Sequence, residues 1–392
     1  MSPQGRACLE WFRRERNWIN EQHLKLCRIP GPTFFEEKRA VWMAEQFQAL
    51  GWEARVDRAG NVVATWPGAG ASSVAVTAHL DTVLAPRTPD DIKILRDGRM
   101  AGPGVADNGA GLAALLALAA AWKAAPPLED SAAAPTLVAN VGEEGEGNLS
   151  GMRYFCRPAS GQPQVFLVLD GPGTDHITSR ALASQRFEVT ISGPGGHSWR
   201  DSAHGNPVHA LSRAVTLFTD QAGPLLSSAA GPRSSFNFGI FEGGSSINSI
   251  PTEARAKIDL RSESLERIDK MAALLTSAVD QAIEAENSRG AGPRIAARIK
   301  EIGSRPSGEL AESAPLLEAV RAVDAHLGIR SRLDCSSTDA NIPLSLGLQA
   351  VSIGAGGQGA GAHTPAEWYL PEGRDLALRR ILLTVCLLLT NE

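Results

Sequence analysis

The chain has 392 residues, with 38 Lys+Arg against 43 Asp+Glu, so its formal net charge is −5. Hydrophobic residues make up 43% and charged residues 21%, which excludes a disordered or collagen-like chain and leaves material for two or three domains. The mild acidic excess, with no long basic run, argues against a binder of nucleic-acid phosphates. The five cysteines, Cys8, Cys27, Cys156, Cys335 and Cys386, are far apart and form no C-x-x-C pair. They read as reduced thiols, not as a disulfide framework or a zinc knuckle. The N-terminal residues to Asn20 carry Arg6, Arg13, Arg14 and Arg16 and no apolar signal region. The late apolar stretch, Ile381 to Leu389, is far short of the roughly 20 residues that a membrane helix needs. The expectation is a cytoplasmic protein without membrane contact.

In chain order, the apolar runs predict strands, and the residue at the end of each is informative. Val74 to Ala78 runs into His79-Leu-Asp81. The turn Ala101 to Gly109 is rich in Gly and Pro, carries Asp107, and opens an Ala- and Leu-rich helix predicted over Leu112 to Trp122 and apolar enough to be buried. Thr136 to Val141 runs into Gly142-Glu143-Glu144, and Val165 to Leu169 into Asp170-Gly171. The segment from Ile177 to Ile302 reads differently: a strand (Phe187 to Ile191), a helix (Asn206 to Phe218) and two strands (Ser235 to Phe241, Ala254 to Leu260). A long helix with Ile268, Met271, Ala272, Leu275, Val279, Ala282 and Ile283 at helical spacing follows, then a strand (Arg294 to Ile302). That βαββαβ order predicts a ferredoxin-like unit. It interrupts the first domain, because a further strand, Ala350 to Ile353, leads to His363 only afterwards. The expected division is 1–176 and 303–392 for an α/β domain with a mostly parallel sheet, and 177–302 for the inserted domain.

Continuous apolar strands alternating with helices imply a parallel sheet covered on both faces, and ligands of such sheets bind beyond the carboxyl ends of the strands. Those ends carry His79, Asp81, Glu143, Glu144, Asp170 and, a short loop later, His363. Imidazoles and carboxylates without thiolates suit zinc, with manganese or cobalt as substitutes. Asp107 is a further candidate ligand, and a pair of cations sharing it uses the acidic inventory better than one cation does.

The ordered set His79-Leu-Asp81-Thr82, Asp107-Asn-Gly109, Glu143-Glu144, Asp170-Gly171 and Ala362-His363-Thr364, around an inserted domain, resembles the M20 metallopeptidases over nearly the whole chain. Gly193-Pro-Gly-Gly-His197-Ser198, Ile247 to Pro251, Asp259-Leu-Arg261 and Ser336 to Asn341 agree with it. The resemblance implies that His79 and Asp170 hold one zinc, that Glu144 and His363 hold the other, and that Asp107 bridges them. It implies that Asp81 orients His79, that Glu143 is the general base, and that His197, on the inserted lid, stabilises an oxyanion. Asn248 and Arg261 would contact substrate, the Asp107–Asn108 peptide would be cis, and the lid edge would form a homodimer. The wording of Ser336 to Asn341 and Gly195 to Ser198 is more like the peptidase T and dipeptidase branch, so the expected reaction is amide hydrolysis in short peptides. N-acyl amino acids or other small amides are the alternative substrates.

Taken singly, each residue has a plainer reading. Asp107 suits a helix N-cap, Glu143 and Glu144 an acidic helix start, Asp170-Gly171 a turn, and Arg261 a strand residue paired with Glu263. His23, His176, His204, His209 and His326 lack any motif and read as structural or solvent-facing, and Trp199 and Trp368 as packing residues. Gly354-Ala-Gly-Gly-Gln-Gly359 spells a dinucleotide fingerprint, but Gly361, His363 and Pro365 follow where a helix must start. No G-x-S-x-G elbow of a serine hydrolase occurs. A non-enzymatic binding module on the same fold would be expected to lack ligands or Glu143, and none is missing.

Overall fold

The computed structural model describes residues 3–125, 133–158, 162–226, 232–290 and 292–390. The chain divides into two compact units, Met1–Ala181 with Gly308–Glu392, and Leu182–Ser307. Both boundaries fall five residues later than the expected 176/177 and 302/303. The first does so because the strand His176–Ala181 pairs with Arg332–Ser336 and Gly308–Glu309, and so belongs to the sheet of the first unit. The second does so because the last strand of the inserted unit runs on to Arg305.

In the first unit, the strands Thr136–Asn140, Val74–His79, Val165–Leu169 and Gln349–Ile353 lie side by side and parallel. They are buried along almost their whole length, which is why they read as unbroken apolar runs without alternation. Glu53–Val56 and Val62–Thr65 extend the sheet antiparallel on one side, and His176–Ala181 with its partners extends it on the other. Register sets the carboxyl ends level: His79 lies beside Asn140, and Leu169 beside Ile353. The segments leaving those ends therefore start from one edge.

The helix Gly109–Ala124 lies against three of these strands and is covered in turn by the helices Pro3–Arg14, Arg16–Cys27 and Arg374–Leu389. Apolar on all sides, it is buried from Gly109 to Trp122. It starts three residues earlier than its apolar run suggests, because Asn108 caps it by accepting from the Gly111 amide at 3.1 Å. The same side chain donates to the Leu169 carbonyl at 2.8 Å and accepts from the Gly171 amide at 3.2 Å, which ties the helix start to the end of a strand. Gly111 is required there: a Cβ would stand 2.4 Å from Asn108 Oδ1 and 2.8 Å from the Leu169 carbonyl oxygen. The dinucleotide-like run opens no helix; Gln358–Ala360 is a short strand paired with Trp368–Leu370. Among the described residues, no helix is long and apolar enough to cross a membrane.

The second unit is a four-stranded antiparallel sheet among its described residues, in the order Ser234–Gly243, Glu253–Ser262, Ala183–Ser192, Ala296–Arg305. The helices Pro207–Leu226 and Leu265–Asn287 pack against it, completing the ferredoxin-like βαββαβ unit. Its core joins Ile191, Phe218, Ile258, Leu260, Met271 and Leu275. On the long helix Ala272 and Ile283 sit at the margin of this core, whereas Ile268, Met271, Leu275, Val279 and Ala282 are buried in it. Trp199 does not pack; it is 84% exposed.

One buried ion pair ties the C-terminal helix of the first unit to its neighbour. Arg380, on Arg374–Leu389, meets Asp324, on Pro315–Leu327, through Nε at 2.6 Å and Nη2 at 2.7 Å, with both side chains out of solvent. We predict that Asp324→Ala lowers unfolding stability by about 3–5 kcal/mol in urea titrations, because it strands a buried guanidinium. Asp324→Leu combined with Arg380→Met should recover most of that loss; an unchanged stability in the single variant would contradict the assignment.

Candidate metal centre

At the carboxyl edge of the parallel strands, the first unit brings together all five side chains expected as ligands. His79 is the last residue of its strand, and its Nε2 stands 3.1 Å from Asp107 Oδ1 and 3.9 Å from Asp170 Oδ1. His363 arrives on the loop after Gln358–Ala360, with positive φ, and its Nε2 stands 3.0 Å from Asp107 Oδ2 and 2.8 Å from Glu144 Oε1. One oxygen of Asp107 thus faces one histidine and the other oxygen the second. Ligand atoms of His79, Asp107 and Glu144 all lie within 4.8 Å of one another. Two imidazole nitrogens and three carboxylates at these separations suit a borderline divalent cation, and the two faces of Asp107 suit a pair of them.

Asp81 is buried beside His79. His79 Nδ1 makes its hydrogen bond with the Asp81 backbone carbonyl, at 2.9 Å, while the carboxylate stays 3.5 Å away. That bond places the Nδ1 proton and leaves Nε2 for a cation. The Asp81 carboxylate instead accepts from the backbone amides of Glu143 at 3.0 Å and Glu144 at 2.9 Å, and from Thr33 Oγ1 at 2.9 Å. It therefore sets the turn that presents both glutamates. Glu143 and Glu144 are both buried.

The carboxylates set the electrostatics of both histidines. At His79 burial opposes the imidazolium, yet the carboxylates of Asp107, Asp170 and Asp81 outweigh it and lift the pKa well above its ordinary value. At His363 hydrogen bonds to the carboxylates of Asp107 and Glu144 raise the pKa to about 10. Burial would favour a neutral Asp107, but the two imidazoliums reverse that and hold it well below the usual carboxylate range.

Glu367 and His23, which hold the turn before Asp107, carry no motif that sequence reasoning used. The Glu367 carboxylate accepts from the backbone amides of Gly104, Ala106 and Asp107 at 2.8, 2.7 and 2.9 Å. His23 Nε2 meets the Val105 carbonyl at 2.7 Å, and its Nδ1 meets Arg374 Nη2 at 2.7 Å. Burial and the Arg374 charge keep His23 neutral. Asp339, in the Ser336 to Asn341 motif, is fully buried, and burial raises its pKa to about 7. It accepts from Asn140 Nδ2 at 2.7 Å. The Asp107–Asn108 peptide is cis.

The remaining expected site residues lie in the second unit. His197 is exposed on the short strand Gly196–His197, paired with Ser249, and its backbone amide donates to Asp201 at 2.7 Å. Asn248 lies alongside, its carbonyl accepting from the Ser198 amide at 3.0 Å. Arg261 is on the strand Glu253–Ser262, and its Nε is engaged by Asp259 at 2.6 Å, not by Glu263.

Comparisons with known proteins agree with this architecture. A family model described as a peptidase dimerisation domain matches residues 183–287, almost the whole second unit. A model of peptidase family M28 matches residues 61–193, the segment that carries His79, Asp107, Glu144 and Asp170. A probable carboxypeptidase from Aspergillus flavus is 29% identical over 205 residues, which is 48% of this chain and 47% of that protein. The chain thus aligns with about half the length of that relative. A succinyl-diaminopimelate desuccinylase from Paracoccus denitrificans is 27% identical over 289 residues, 67% of this chain and 75% of that protein. A tripeptidase structure from Staphylococcus aureus superposes with a TM-score of 0.74 at 19% identity, covering 95% of this chain and 98% of that one.

We predict that cations compete with protons for Nε2 of His79 and His363, so apparent affinity for Zn2+ or Co2+ rises with pH from 6 to 8. The sign follows from the ligand chemistry: an imidazole nitrogen binds a cation only after losing its proton, and the surrounding carboxylates favour the protonated rings. Titration in weak buffer at pH 7 should release protons; uptake without release would remove the histidines from the ligand set. The second unit thus matches a peptidase dimerisation domain in sequence, and the fold of the chain is similar to that of the tripeptidase.

Proposed function

We propose that the protein is a di-zinc hydrolase that cleaves the amide bond of short peptides, with Mn2+ or Co2+ as substitute ions. The observation that carries the reading is Asp107, whose two oxygens face different histidines. His79, Asp170 and Asp107 would hold one cation, and His363, Glu144 and Asp107 the other. When bound, such a pair supplies Lewis acidity and makes hydroxide available near neutral pH.

The remaining roles belong to the chain itself. Glu143, next to a ligand but not assigned as one, takes the proton of the attacking water and returns it to the leaving nitrogen. Asp81 holds the Glu143 amide and so keeps that carboxylate in place. His197 opposes the negative charge of the tetrahedral oxygen, and Asn248 and Arg261 bind the substrate. The match to a dimerisation domain supports a homodimer through the second unit. The five free cysteines suit a reducing, cytoplasmic setting.

The desuccinylase relative favours a second reading, an N-acyl amino acid or similar small amide as substrate. Hydrolysis of free tripeptides and N-acetyl amino acids, assayed side by side with Zn2+, Mn2+ or Co2+, separates the two. A requirement for a free amino terminus supports the peptidase, and turnover of acylated substrates alone overturns it.

Glu143→Ala should keep the metal and lose about 10²–10⁴-fold in turnover; activity within tenfold of wild type would remove Glu143 as the base. His197→Ala should lower kcat with metal content unchanged, and unaltered kinetics would take it out of the reaction.

A further inference from the structure

We propose that Glu367 is the residue that positions Asp107 between two cations, acting through the backbone and without touching the ions. The inference rests on the metal-centre reading of this site and concerns how the first unit builds it. A buried carboxylate has two oxygens, and those of Glu367 accept three consecutive-region amides: Gly104 on Oε2, and Ala106 and Asp107 on Oε1. On the other side of the same turn, the Val105 carbonyl is held by His23, and the Gly104 carbonyl accepts from the Gly109 amide at 3.0 Å. The turn that ends in Asp107 is therefore gripped along both sides by groups distant in sequence.

Glu367 also belongs to the loop that carries His363. Its amide meets the Thr364 carbonyl at 3.3 Å, and its carbonyl accepts from the Gly102 amide at 2.9 Å. The strand it enters, Trp368–Leu370, pairs with Met100–Ala101. Glu367 is thus the point at which the His363 loop is stapled to the Asp107 turn, and it sets the separation of Asp107 Oδ2 from His363 Nε2. His79 has no such dependence, because the parallel sheet places it.

This asymmetry gives a specific expectation. Glutamine at 367 offers one acceptor oxygen and one amide donor to three N–H groups, so at least one N–H loses its partner and the turn shifts. The cation between Asp107, Glu144 and His363 should weaken most, because both the Asp107 turn and the His363 loop depend on Glu367, and the one at His79, Asp170 and Asp107 should weaken less, because it shares only Asp107.

The test is titration of the full-length, metal-free protein with Co2+ by absorption spectroscopy and with Zn2+ by chelator competition, using wild type, Glu367→Gln and the exposed control Glu372→Gln. Wild type should take two cations. Glu367→Gln should bind one of them about 10–100-fold more weakly and the other within threefold, and Glu372→Gln should match wild type. Two cations bound with wild-type affinity by Glu367→Gln would overturn the proposal while leaving the metal-centre reading intact. Failure of wild type to bind any cation would overturn both. Should Glu367→Gln not fold, amide exchange in metal-free wild type decides: Gly104, Ala106 and Asp107 should already be protected, and exchange at the rate of open amides would overturn the assignment.

Discussion

The carboxylate of Asp107 stands between two imidazoles, and the first unit is organised around keeping it there. An acidic group so placed, with Glu144 and Asp170 close by, is tolerable only if positive charge is supplied. Divalent cations held by these side chains would supply it, in competition with protons for Nε2 of His79 and His363. Competition between protons and cations is thus built into the ligand set, not into a separate switch.

Two kinds of support hold this arrangement. The parallel sheet places His79 and starts the Asp170 and Glu144 segments, because strand register leaves little freedom at a buried carboxyl edge. Loops place the rest. Asp81 sets the Glu143–Glu144 turn through two backbone amides, Asn108 joins the helix start to the Leu169 strand end, and Glu367 and His23 hold the turn before Asp107. In each case a buried side chain satisfies backbone groups that no regular element satisfies, which is what a precise site on irregular backbone requires. The supporting residues Asp81, Asn108, His23 and Glu367 are more thoroughly buried than the candidate ligands Asp107, Asp170 and His363, because a hydrogen bond that fixes a turn has to be shielded from competing water.

The second unit follows a different logic. Its sheet is antiparallel, its core is its own, and its site candidates lie on its surface: His197 is exposed and Arg261 is engaged by Asp259.

How much of this was legible in the residues depends on the length scale of each interaction. Unbroken apolar runs ending in His79, Glu143-Glu144 and Asp170 betray buried parallel strands with chemistry at their ends, since both burial and strand termination are local events. The helical spacing from Ile268 to Ala282 betrays the long helix of the second unit in the same way. Boundaries were less legible. His176–Ala181 passes into Ala183–Ser192 with one residue between, and only sheet pairing assigns the first strand to one unit and the second to the other. Glu367, His23 and the backbone-directed role of Asp81 were hidden for a related reason. Glu367 meets Gly104 across 263 positions and His23 meets Val105 across 82, and a lone Glu or His carries no sign of which distant amide or carbonyl it will meet. The order of residues along the chain determined which side chains are delivered to the sheet edge. Only the tertiary structure decided which buried groups hold them still, because those contacts arise from packing between segments that have no periodicity in common.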